Sequence, residues 1–148
     1  MDTPQTTPTP SKEMQRLSQK LVGKAQLSGG VTGTSHCEVM EGGFFLLQHV
    51  DITQNGMHIK GIEIIGHLKA FGAEPTAEIH SRFYDNNGNT LDYTYELSED
   101  GRKLTVWGGE KGSPAYYEGI FNDDGTCNGE WHYPGGGGYK MTTKPVKG

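Results

Sequence analysis

The sequence predicts an all-β chain: a closed, up-and-down antiparallel barrel of about ten strands behind one short N-terminal helix. Three observations carry this. Glycine occurs 23 times in 148 residues, about twice its usual share, which marks a chain with many turns. From residue 24 onward, short runs with strand spacing are separated at fairly regular intervals by turn residues. The connectors are short, and their Asn, Asp and Gly supply the positive φ of tight hairpins: Glu41-Gly42-Gly43, Gln54-Asn55-Gly56, Asn86-Asn87-Gly88-Asn89, Glu99-Asp100-Gly101 and Asp123-Asp124-Gly125. Consecutive hairpins make antiparallel neighbours, and an open sheet of this size would leave two exposed edges that closure removes.

The elements follow in order. Residues 1–10, MDTPQTTPTP, alternate Thr and Pro without an apolar period and are expected to form a disordered lead. Residues 11–148 are expected to form a single domain, since a chain of this size buries one core. Ser11 is a helix cap, Glu13 sits in the first turn, and Met14, Leu17 and Leu21 form one apolar stripe before Gly23 ends the pattern. That stripe is too narrow to be a core and must lie against something else. Strands are expected at 24–28, 33–40, 44–52, 58–67, 77–84, 90–97, 103–107, 115–121, 127–133 and 139–144. The run Gly135-Gly136-Gly137-Gly138 joins two strand-like segments with no helix after it. A phosphate cradle needs its glycines between a strand and a helix, so the run reads as a strand connection or barrel corner.

Composition narrows the function classes. The formal charge of −5 is spread along the chain and offers no basic stripe, so neither nucleic acid nor an anionic membrane surface is an expected partner. No apolar run reaches the roughly 20 residues of a membrane-spanning helix and no apolar signal core stands at the N-terminus, which points to a cytoplasmic chain. A monomer or homodimer is expected. Cys37 and Cys127 lie far apart without a metal or disulfide spacing and read as two small thiols, buried or half-buried.

Taken together, the segments EGGFFLLQHVD, IKGIEIIG, FYDNNGNTLDYTYEL, LTVWGGEKGSPAYYEGIFNDDG and GEWHYPGGGGY resemble a bacterial domain family of unknown function. Its fold is calycin-like, similar to the barrels of lipocalins, fatty-acid-binding proteins and nitrobindins. The likeness runs through almost all of residues 11–143. In that family an aromatic residue, usually Trp, stands where this chain has Ala25, and another often stands where it has Val39. The resemblance thus implies that bulk is missing from the barrel interior at both positions.

Strand alternation sorts the remaining candidates. Along 90–97, Asp92, Thr94 and Glu96 are expected to face water, leaving Leu91, Tyr93, Tyr95 and Leu97 inside. The same pattern points Tyr117, Phe121, Trp131 and Tyr133 inward and Glu118, Glu130 and His132 outward; Trp107 and Tyr139 are further candidates. These aromatics are either ordinary core or the walls of a cavity. Their phenols favour a cavity, because buried hydroxyls need partners that an aliphatic core lacks. The expected function is therefore binding of a small apolar or aromatic molecule.

No two of the six histidines stand at a metal-ligand spacing, so no metal is expected. The resemblance to nitrobindins implies a haem-ligating histidine near the last strands, for which His132 is the candidate. Its outward parity argues against that, and His36, His58 and His132 read as surface or rim residues. The alternative function is an acid-base enzyme of isomerase or cyclase type in the same pocket. Its candidates are Glu63, a carboxylate among apolar residues whose strand parity leaves it facing the lumen, solvent or the capping helix, and His49 on the neighbouring strand.

Overall fold

The computed structural model describes residues 7–147. One helix, α1 (Lys12–Leu21), precedes the strands β1 (Gly23–Gly29), β2 (Thr32–Val39), β3 (Leu46–Gln54), β4 (Met57–His67), β5 (Ile79–Asp85), β6 (Thr90–Leu97), β7 (Lys103–Gly108), β8 (Tyr116–Phe121), β9 (Cys127–His132) and β10 (Tyr139–Val146). The strands follow one another around the barrel in chain order, and β1 pairs antiparallel with β10 to close it. The all-β barrel with a single helix expected from the sequence is the fold of the chain.

The turns do what their residues permit. Asn55 and Gly56 both have positive φ, 52° and 77°, the requirement of a two-residue type I′ hairpin loop. That loop fixes Gln54 opposite Met57, and counting back from it places Gln48 opposite Glu63 and His49 opposite Ile62. The glycine run connects β9 to β10, with Gly135, Gly136 and Gly137 at φ of 84°, 95° and 89°. Three successive left-handed residues are open to glycine at little cost. Two strands start two residues later than the sequence suggests. Leu46 begins β3 because Glu41 to Phe45 are spent on a turn in which Met40 N–H bonds Phe45 O. Ile79 begins β5 because Thr76 ties back to Leu68 through both N–H and hydroxyl.

The helix α1 lies over one end of the barrel. Ser11 Oγ accepts the Met14 N–H at 3.1 Å, capping the first turn. Met14 and Leu17 are fully buried and join one core with Leu46, Ile65, Ile79 and Phe121; such burial is worth roughly 1.5–3 kcal/mol per side chain. Polar contacts fix the angle. The Arg16 guanidinium donates to the carbonyls of Ser98 and Glu99, and Lys20 Nζ sits 5.2 Å from the Phe121 ring centre. His67 Nδ1 lies 2.8 Å from the Thr76 carbonyl, so the proton is assigned there, and Nε2 accepts the Ser11 hydroxyl at 2.8 Å. Residues 7–10 form neither helix nor strand, yet Pro10 is half-buried and its carbonyl accepts from Gln15 Nε2. The rest of the lead, residues 1–6, lies outside the described residues.

Inside the barrel, Tyr117 lies across two glycines. A Cβ at Gly129 would stand 2.3 Å from Tyr117 Cζ and Oη, and one at Gly119 would stand 2.5 Å from Tyr117 Oη and 2.6 Å from Cys127 Sγ. The ring occupies the room that two side chains would take. Gly129→Ala is therefore expected to destabilise the protein by roughly 1–3 kcal/mol, the cost of overpacking a filled site. Urea denaturation checks this, and an unchanged midpoint would show that the Tyr117 ring moves aside freely.

Candidate functional site

The barrel holds a half-open cavity of about 260 Å³. The core packed beneath α1 fills part of one end, and the cavity reaches the surface there beside the exposed residues Lys20, Val22, Lys24 and Gly125. Towards the other end Val31, 1% exposed, projects inward from the β1–β2 turn and lines the same cavity. The turn is held by Gly30 N–H donating to Lys140 O at 2.8 Å. Between the ends the wall is largely aromatic. Trp131 meets Tyr93 at 5.9 Å and 56° and Tyr117 at 5.7 Å and 48°, ring centre to ring centre, so the rings form an open corner rather than a stack. Phe83, Tyr139 and Met141 extend that surface.

Among the described residues one acidic group faces this interior. Glu63, 5% exposed, lines the cavity from β4. Its Oε1 accepts from Gln48 Nε2 at 3.1 Å, and its Oε2 accepts the hydroxyls of Ser81 and Tyr95, each at 2.6 Å. Burial pushes its pKa above the ordinary value of 4.5, and the bonds from Ser81, Tyr95 and Gln48 oppose that rise without cancelling it. Burial also raises Tyr95 and Tyr93, with the charge of Glu63 adding to each, and pushes Cys37 up to about 12. Tyr117, whose hydroxyl lies 3.4 Å from Cys127 Sγ, is raised chiefly by burial, and Tyr139 is pushed up to about 12 by the same cause.

Of the residues singled out in the sequence, Ala25, Glu63, Tyr93, Tyr95, Tyr117, Trp131 and Tyr139 come together on the cavity. Others do not. His49 points outward, since Leu46, Gln48, Val50 and Ile52 take the inner positions of β3, and it pairs with Glu38 at 3.0 Å on the surface. The pairing of His49 with Glu63 is therefore replaced by Gln48 with Glu63. Trp107 is on the outer face as well: Leu104 and Val106 are the buried residues of β7, and Lys111 Nζ lies 5.8 Å from the Trp107 ring. Val39, 45% exposed, ends β2 outside the cavity. Tyr133, 40% exposed, follows the last residue of β9 and stacks on Trp131 at the rim.

Two residues of β6 also differ from their expected places. Leu91 is exposed near the start of the strand, and Thr94, expected in water, is 1% exposed. Thr94 does face outward, but the β7–β8 connection folds over it: its hydroxyl donates to Gly109 O at 2.6 Å, while Gly109 N–H bonds Asp92 O. His132 is on the outer face, stacked on Tyr116 at 4.8 Å. Among the described residues no group of three or more His, Cys, Asp and Glu side chains is placed to hold a metal ion.

Sequence reading missed Gln48, Ser81, Phe83 and Val31 as part of the site. A signal for Gln48 existed, because the Asn55-Gly56 loop dictates which residue opposes Glu63. Ser81 stands two residues from the direct partner of Glu63, Phe83, and is thus its diagonal neighbour on the same face. The Val31 plug has no counterpart in strand periodicity.

The sign of the Glu63 effect on stability follows from its raised pKa. A carboxyl held above its unfolded value favours the folded state fully below that value, and the contribution is lost as pH rises through the folded pKa. In the Glu63→Gln variant this loss is absent, so its stability relative to the wild type is expected to improve as pH climbs from about 4.5 toward neutrality. Urea midpoints of both proteins across that range check it, and curves that run parallel would overturn the assignment.

Compared with protein-family models and with curated proteins, the chain matches none.

Proposed function

We propose that the barrel binds a small molecule with an apolar or aromatic body in its central cavity. The observation that carries this reading is the space itself: about 260 Å³ bordered by Trp131, Tyr93, Tyr117 and Tyr139. It lies slightly below the range of roughly 300 Å³ upward that drug-sized molecules occupy. Interiors are packed to crystal-like density, and a void of this size next to Ala25 is a place where contacts have been given up. The resemblance of the sequence to calycin-like barrels supports the same reading.

A second reading, acid-base catalysis of isomerase or cyclase type on the molecule so bound, is favoured by Glu63 and its 2.6 Å bond from Tyr95. Such a catalyst would work without His49, which faces away. Turnover that disappears in Glu63→Gln while binding persists would establish it; binding without turnover leaves the first reading.

Ala25 supplies the test of the cavity. It lines the space from β1, and Ala25→Trp would fill a large part of it. The variant is expected to lose most of its affinity for an environment-sensitive apolar dye while keeping or raising its melting temperature, since filling a void recovers contacts. Dye titration and thermal melting are read together. Destabilisation of the variant, with no dye uptake by either protein, would sink the proposal and leave a barrel with a structural or interaction role.

A further inference from the structure

We infer that the molecule held in this cavity is a small cation, a protonated amine on an aromatic or aliphatic body, whose ammonium group pairs with Glu63. This rests on the binding reading above and adds the charge of the ligand to it.

The Glu63 carboxyl is surrounded by hydrogen-bond donors. Its three partners, Gln48, Ser81 and Tyr95, are all neutral donors. Among the described residues every ion pair lies on the outer surface, and none includes Glu63. Two lysines border the cavity, but Lys20 is placed over Phe121 and Lys24 is exposed. A carboxylate has about four acceptor positions. Two are taken on Oε2 and one on Oε1, so Oε1 retains a lone pair for a further donor.

A buried charge is costly unless it is paired and hydrogen-bonded, and here the hydrogen bonds are built while the counter-charge is missing. A ligand cation supplies it. Such a group gains twice: it donates a charge-assisted hydrogen bond to Oε1, and the faces of Tyr93, Tyr117 and Trp131 attract positive charge. A carboxylate ligand would meet the opposite situation at this position, a like charge beside Glu63, whose three hydrogen-bond partners are all neutral.

The pH dependence follows. The titratable groups with electrostatic reach to Glu63 are Cys37 from β2 and Tyr93 and Tyr95 from β6. All three are held protonated well above neutrality, so Glu63 is the group whose charge changes. Where Glu63 carries its proton an amine must displace it, so amine affinity rises with pH until that carboxyl is ionised; a neutral ligand shows no such rise.

Three probes of one shape test this by isothermal titration calorimetry on the full chain: phenethylamine, phenethyl alcohol and phenylacetate. Phenethylamine is expected to bind about tenfold or more tightly than the alcohol, with phenylacetate weakest. The amine preference should vanish in Glu63→Gln while the alcohol still binds. Should that variant fail to fold, the amine-to-alcohol ratio and the pH profile of the wild type decide alone. Equal affinity for amine and alcohol, tightest binding of phenylacetate, or uptake of the apolar dye without phenethylamine would each overturn the cation inference and leave the binding reading intact. Failure of the dye and of all three probes would remove both.

Discussion

Closure of the sheet through the β1–β10 pairing is the constraint on which the rest of the molecule depends. Six residues of β1, Lys24 to Gly29, face Val146 to Met141 in antiparallel register and join the first strand to the last. Without that seam the chain is a curled ribbon with two open edges, each a template for association with other chains. With it, every strand acquires an inside and an outside, and strand alternation becomes a rule about which side chains share one enclosed volume. The helix is secondary to this: α1 packs Met14 and Leu17 onto an end that the barrel has already defined.

The enclosed volume is used unevenly. Beneath α1 it is filled by aliphatic side chains and the two buried thiols, Cys37 and Cys127. Further along it holds a carboxyl, an amide, a hydroxyl and several phenols around a space. A barrel selected for stability alone would put a hydrophobe at position 63, since burying a carboxyl gains little even when three donors serve it. Each donor comes from a different strand, Gln48 from β3, Ser81 from β5 and Tyr95 from β6. Polar networks of this kind are where a chain departs from the packing that stability favours, and such departures cluster at functional sites.

The outer face accounts for Trp107, which the sequence offered as a further cavity candidate. Cross-strand register lines up His80, Thr94, Trp107, Tyr116 and His132 in one row across β5 to β9. The β7–β8 connection folds over this row: Gly109 buries Thr94, and Lys111 reaches both the Trp107 ring and Glu96, the latter at 2.5 Å. A half-buried outer surface therefore arises from a loop rather than from a strand, which is why Trp107 looks like an interior residue when the strand is read alone.

What the sequence by itself determined is what local geometry controls. Turn residues with positive φ punctuate the strands, alternation assigns most side chains to a face, and the helix stripe of Met14, Leu17 and Leu21 announces a surface that must be covered. The ten strands and the inward set of Tyr93, Tyr95, Tyr117 and Trp131 follow from these local rules. Even the Gln48–Glu63 opposition is encoded locally, in the two-residue loop between their strands. Tertiary structure alone decided the rest: that Ser81 and Tyr95 converge on Glu63 oxygens, that Val31 turns inward, that Pro10 lies close to Gly43, and that a loop covers Thr94. These contacts join residues from 15 to 33 positions apart or lie at strand ends. For Ser81 and Tyr95 the two-residue period gives the face but not the partner, and at Val31, Pro10 and the loop over Thr94 it does not apply at all; position there is set by how closed strands tilt and where their connections fold back.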